Sequence, residues 1–163
     1  MITDRPQRLV GVSYVGFQRY FVTTCTAFRK PLFNDHAVAA DIAEQILQLS
    51  REFEFAIIAY CFMSDHVHLL LGGRSEQADL ERFVKRAKQV TGFAYRRTHR
   101  GSLWQPGYHE RVLRDDEATL TVAQYILENP VRAGLAKALG EWPLAGSDVY
   151  SWPELLTAWE EQA

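Results

Sequence analysis

Two imidazoles stand two residues apart at the head of an apolar run, in the stretch Met63-Ser64-Asp65-His66-Val67-His68-Leu69-Leu70-Leu71. Along an extended strand side chains alternate between faces, so His66 and His68 point to one side while Val67 and Leu69 point to the other. Two rings on one face can hold one metal ion. They can equally be ordinary histidines satisfied by hydrogen bonds, and a metal site needs more than two ligands. Further along, Tyr125 and Asn129 stand four residues apart. On a helix that spacing sets a phenol and a carboxamide one turn apart on one flank, able to face one ion or one phosphate. Tyr125 also reads as an amphipathic core residue, and Asn129, just before Pro130, as a helix end that caps the next turn. Spacing alone does not choose between these readings.

The segments that must position these groups alternate in period. Residues 19–27 are rich in β-branched and aromatic side chains and predict a strand. Residues 34–52 begin with capping residues and repeat apolar positions at helical spacing. Two apolar runs, 53–63 and 66–73, are split by Ser64-Asp65 and predict a hairpin with the histidines just past its turn. Residues 77–99 carry Leu80, Phe83, Val84, Ala87, Val90 and Ala94 near a 3.6-residue period, a basic amphipathic helix. Residues 108–114 predict a fourth strand. Asp115 and Asp116 resemble N-terminal caps for a last helix over 117–129, whose broad apolar side is Leu120, Val122, Ala123, Ile126 and Leu127. The order β-α-β-β-α-β is that of an α+β, ferredoxin-like antiparallel sheet with both helices on one face. The additional C-terminal helix, with Tyr125, would then build a site on the other face.

Composition bounds the rest. With 163 residues, 47% hydrophobic and 23% charged, the chain is long enough to form a single domain, 1–163, around its own core. No apolar run approaches the roughly 20 residues that cross a bilayer, and the N-terminus lacks the apolar core of a signal peptide, so the expected location is cytoplasmic. Cys25 and Cys61 fit no zinc-ligand spacing and are too few for a disulfide framework, which predicts reduced thiols. A net charge of −2 argues against a nucleic-acid binder until its distribution is considered. Between Arg82 and Arg114 nine Lys or Arg residues face the single acid Glu110, a balance of +8, while the remainder carries −10. Phe93, Tyr95, Trp104 and Tyr108 are interleaved with those bases. Cations beside stacking rings suit single-stranded nucleic acid, although charge on a helix also serves as a plain solvated surface.

Five stretches in order, "GFQRYFVTT" at 16–24, "MSDHVHLLL" at 63–71, "LWQPGYHERVLR" at 103–114, "YILENPVRAGL" at 125–135 and "EWP" at 141–143, together resemble the landmarks of the REP-associated tyrosine transposases. These are a branch of the single-tyrosine HUH transposases, in which two histidines flank a hydrophobic residue. Many relatives carry Pro-Asn where this chain has Ser64-Asp65. The resemblance implies a metal-dependent single-stranded DNA endonuclease and strand transferase, acting on hairpins of repetitive extragenic palindromes through a 5′-phosphotyrosine intermediate. It makes His66 and His68 two metal ligands, Asn129 the third, and Tyr125 the nucleophile. Mixed imidazole and oxygen ligation suits Mg²⁺ or Mn²⁺, which would neutralise a phosphodiester and orient it for in-line attack. The implied partner is a single-stranded DNA hairpin, with monomer and homodimer both open. Lys85, Lys88, Arg96, Arg97, Arg111, Arg114 and Arg132 are candidate phosphate contacts, and Trp104 and Gln105 candidate base contacts. Two rivals remain. A non-catalytic single-stranded nucleic-acid-binding module can share such a sheet. An all-β metalloenzyme of the cupin kind also uses His-x-His, but the strong helical periods oppose it.

Overall fold

The computed structural model describes residues 13–114 and 118–163; the expected caps Asp115 and Asp116 lie outside them. The chain runs β1 (Arg19–Cys25), α1 (His36–Glu52), β2 (Phe55–Phe62), β3 (His66–Gly73), α2 (Leu80–Arg96), β4 (His109–Val112), α3 (Thr119–Leu127), α4 (Asn129–Arg132), β5 (Ala145–Gly146) and α5 (Trp152–Gln162). The strands form one sheet in the order β4-β1-β3-β2-β5, with every neighbouring pair antiparallel. This is the expected α+β arrangement, extended by one short edge strand.

Each long helix starts where a side chain can satisfy its free N–H groups. Asp35 accepts from the backbone N–H groups of Ala37 and Val38, and Asp79 from that of Arg82. The apolar stripe of α1 (Ala39, Ile42, Ile46, Leu49) and that of α2 (Leu80, Phe83, Val84, Ala87) pack on one sheet face against Tyr20, Val22, Ile57, Val67, Leu69 and Leu71. The opposite face meets a second core, in which Ala123, Ile126 and Leu127 of α3 and Leu155 and Trp159 of α5 cover Ile58, Ala59, Cys61 and Leu70. Burial on both faces explains why β2 and the end of β3 read as continuous apolar runs. It also leaves His66 and His68 on the α3 side, since they alternate with Val67 and Leu69.

A bulge sets the register beside them. Pairing passes from Ile57↔Leu71 to Ala59↔Leu70, so Ile58 is the extra residue, and beyond it Cys61 falls opposite His68. Without the extra residue that part of β2 would turn its side chains to the wrong face. At the far end of β3 only glycine fits at position 73, because a Cβ there would lie 1.9 Å from the carbonyl oxygen of Gly16.

Several elements differ from their sequence reading. The first strand stops at Cys25, and residues 27–29 form a 3-10 turn. The helix carrying Tyr125 begins at Thr119, with Ala118 at its cap position and no side-chain cap. Nor is it the last element: β5 and α5 follow, and α5 opens with a full capping box between Ser151 and Glu154. Its Trp159 buries the indole and donates Nε1–H to the carbonyl of Leu120 at 2.9 Å, which ties α5 to α3. Both cysteines are free and buried. Among the described residues no helix is long and apolar enough to cross a membrane.

Candidate active site

Strand register assembles the histidine pair. Cys25 of β1 lies opposite His66, and Thr23 opposite His68. The two imidazoles meet edge to face, with centroids 4.7 Å apart and planes at 72°. The Nδ1 of His66 lies 2.7 Å from Asp65 Oδ1, and Asp65 Oδ2 accepts from Arg29 Nε at 3.0 Å. Burial works against the charged form of Asp65, but the hydrogen bond to His66 and the Arg29 guanidinium outweigh it and hold the carboxyl below its usual range. An ionised Asp65 can only accept, so Nδ1–H of His66 donates, and in the neutral ring this leaves the lone pair on Nε2. This is the carboxylate–histidine support that orients metal-binding imidazoles.

His68 is supported by a hydroxyl instead, with Thr23 Oγ1 2.8 Å from its Nδ1. Burial first, then the charges of His66 and Arg132, push its pKa down to about 4. The ring is therefore neutral near pH 7, the form that binds a metal. In the tautomer whose Nδ1–H donates to Thr23, its Nε2 is also free to bind a metal. The neighbouring Cys61 thiol is pushed up to about 12, chiefly by burial. It stays protonated and adds no soft thiolate to the donor set.

Phe21 joins the histidines to the helix above them. Its ring centroid is 5.3 Å from that of His68 and 6.3 Å from that of Tyr125, which it meets edge-on. Tyr125 is 54% exposed, so the core reading of this residue fails. Arg132 covers the phenol ring at 4.4 Å from its centroid and donates from Nη2 to the Tyr125 carbonyl at 2.7 Å. It also pairs with Glu128 at 3.3 Å, and Glu128 accepts from Gln124 Nε2 at 2.9 Å. Tyr125 is thus presented to solvent by a braced surface.

Asn129 is the first residue of α4, whose cap position is taken by Glu128 without a side-chain capping bond. The capping reading of Asn129 therefore has no hydrogen bond to rest on. Its Nδ2 is buried and has no hydrogen-bond partner. An orphaned buried amide is costly, and its two ends exchange by a simple flip, so the same place can offer Oδ1 to a cation. Among the described residues no three His, Cys, Asp or Glu side chains gather at one metal position. The buried carboxamide of Asn129 offers a donor of another type, and a carboxamide oxygen suits a hard divalent cation.

The candidate DNA contacts fall on two sides of the sheet. Arg111 pairs in register with Phe21 and so lies on the histidine face, where Arg132 also stands; Arg114 is exposed just past β4. Lys85 and Arg96 are exposed on α2 and Arg97 at its C-cap, on the other side of the sheet. Lys88 is half-buried, its ammonium donating to the carbonyls of Gln105 and Gly107 and fastening that loop to α2. Trp104 packs edge-on against Phe33 at 5.7 Å and donates Nε1–H to Thr91 at 2.8 Å, while it and Gln105 line a groove with Lys88, Gly92 and Arg96. Four residues at the site, Phe21, Thr23, Arg29 and Asp65, were not singled out from the sequence. Their signals were the alternation of Phe21, Thr23 and Cys25 along β1 and a carboxylate directly before the first histidine.

Known proteins share this fold. A solved structure described as the REP-associated tyrosine transposase bound to a REP hairpin superposes with a TM-score of 0.69 at 18% identity, covering 91% of this chain and 96% of that one. A transposase from Deinococcus radiodurans superposes at 0.53 with 22% identity, over 74% of this chain and 95% of that one. In sequence, a Haemophilus influenzae protein named as a REP-associated tyrosine transposase is 28% identical over 109 residues, 59% of this chain and 61% of that protein. The profile described as "Transposase IS200 like" matches residues 15–129, and the chain belongs to that family.

Proposed function

We propose that this protein is a REP-associated tyrosine transposase that cuts and rejoins single-stranded DNA at hairpins of palindromic repeats. The observation that carries this reading is an exposed Tyr125, braced by Arg132 and set across Phe21 from the His66–His68 pair. A divalent ion, Mg²⁺ or Mn²⁺, would be held by Nε2 of His66, Nε2 of His68 and the carboxamide of Asn129. When bound, it supplies positive charge to a non-bridging phosphate oxygen. The residues do the rest. Asp65 and Thr23 fix the two rings so that both lone pairs stay available. Tyr125 Oη gives up its proton and attacks phosphorus, and the 3′-oxygen leaves and takes up a proton. The products are a 5′-phosphotyrosine and a free 3′-hydroxyl. A 3′-hydroxyl from a second strand reverses the step and joins new ends, so bond energy is kept without a nucleotide cofactor. A substrate of chromosomal DNA puts this work in the cytoplasm.

Titration calorimetry with Mn²⁺ tests the ligand set. His66→Ala, His68→Ala and Asn129→Ala are each expected to weaken binding by roughly tenfold or more, in line with the loss of one ligand's worth of affinity. Wild-type affinity in Asn129→Ala would remove Asn129 from the set and leave Glu128, its neighbour, as the oxygen donor to examine.

A further inference from the structure

The turn that follows β1 places two consecutive non-glycine residues in the left-handed region, Phe28 at φ 55° and Arg29 at φ 54°. Bulky L side chains avoid this conformation because Cβ crowds a backbone oxygen. It persists only where the surroundings over-determine it, and here they do. Thr26 N–H donates to the Asp65 carbonyl at 2.9 Å and Ala27 N–H to the Leu103 carbonyl at 2.9 Å. The Thr26 hydroxyl donates to the Lys30 carbonyl at 2.7 Å. Arg29 donates from Nη1 to Cys25 Sγ at 2.8 Å and from Nε to Asp65. All this bonding holds a phenylalanine out in water. Phe28 is 86% exposed, more than any other large apolar side chain among the described residues, and Lys30 Nζ stands 5.8 Å from its ring centroid.

We propose that Phe28 is a stacking platform for an unpaired base of the single strand at the active site, with Lys30 against the adjoining phosphate. The inference rests on the function proposed above and adds a subsite to it. Its place is set by Asp65, which bonds Arg29 of this turn on one oxygen and the candidate ligand His66 on the other. A lone flat ring flanked by cations offers no groove for an apolar helix. It matches a polyanion that carries flat apolar groups, and only an unpaired strand leaves the faces of its bases free.

The test uses the full chain and a DNA hairpin with unpaired arms, carrying 2-aminopurine at each arm position in turn. Stacking quenches the fluorescence of this base. Wild-type protein is expected to quench it at one arm position, Phe28→Trp to keep the quench, and Phe28→Leu to lose it with roughly tenfold weaker binding. A Phe28→Leu complex that quenches every position as the wild type does would overturn the subsite and leave the proposed function standing. Wild-type protein that fails to bind the hairpin would overturn both. Because Phe28 contributes nothing to either core, the variants keep the fold, and their thermal unfolding checks it.

Discussion

A histidine held neutral binds metal readily and tolerates acid badly. His68 has its pKa pushed down to about 4 by burial, with His66 and Arg132 adding to the effect, against about 6.5 for an ordinary imidazole. Between those two values the unfolded chain carries a proton that the folded one does not. The stability associated with neutral His68 is therefore complete above pH 6.5 and falls as pH drops toward 4. The loss should be about 3 kcal/mol, read from urea unfolding at a series of pH values. His68→Gln is expected to flatten that leg of the profile; an equally steep fall in the variant would place the acid sensitivity elsewhere. The pair itself was legible in the sequence, because strand alternation alone puts His66 and His68 on one face. Their supports were not. Thr23 meets His68 only through cross-strand register, and Asp65 looked like part of a turn until the fold turned its carboxylate onto His66.

The helix that carries Tyr125 has nine residues, too few to be stable alone. It is held by its apolar side, Ala123, Ile126 and Leu127, and by α5, whose Trp159 is buried and bonded to the Leu120 carbonyl. Trp159→Ala is expected to cost about 3–5 kcal/mol through the cavity it leaves. Trp159→Phe, which keeps most of the ring but loses the hydrogen bond, should cost about 1 kcal/mol. Thermal or urea unfolding separates the two, and equal losses would assign the whole effect to the hydrogen bond. The β-α-β-β-α-β order was legible because helical period and strand alternation differ so clearly. The capping signature of α5, Ser151-Trp152-Pro153-Glu154, is also present in the sequence. By contrast β5 has two residues and exists only through pairing with Tyr60 and Cys61. The bulge at Ile58 left no trace, since β2 is apolar on both faces and an extra residue does not disturb such a run.

Across the molecule, the segregated charge seen in the sequence does not collect at one place. Arg111 and Arg132 share the histidine face, whereas the exposed cations of α2 lie beyond the sheet. A bound hairpin that used both sets would have to reach from the site to the α2 side, past the Trp104 loop, which bridges to Thr26 at the end of β1. Binding alone would satisfy such a surface, and a non-catalytic module would show it as well. Covalent chemistry separates the two, because it requires the histidine pair, the braced helix and the basic surface to act on one strand together. The direct measurement is denaturing electrophoresis of the protein incubated with Mn²⁺ and a single-stranded palindromic hairpin, comparing wild type with Tyr125→Phe. That substitution removes one exposed oxygen and keeps the ring that Phe21 and Arg132 contact. The account predicts a protein–DNA adduct joined through a 5′-phosphate in the wild type, and none in a variant that still folds and binds the hairpin. An adduct of equal yield in Tyr125→Phe would contradict it.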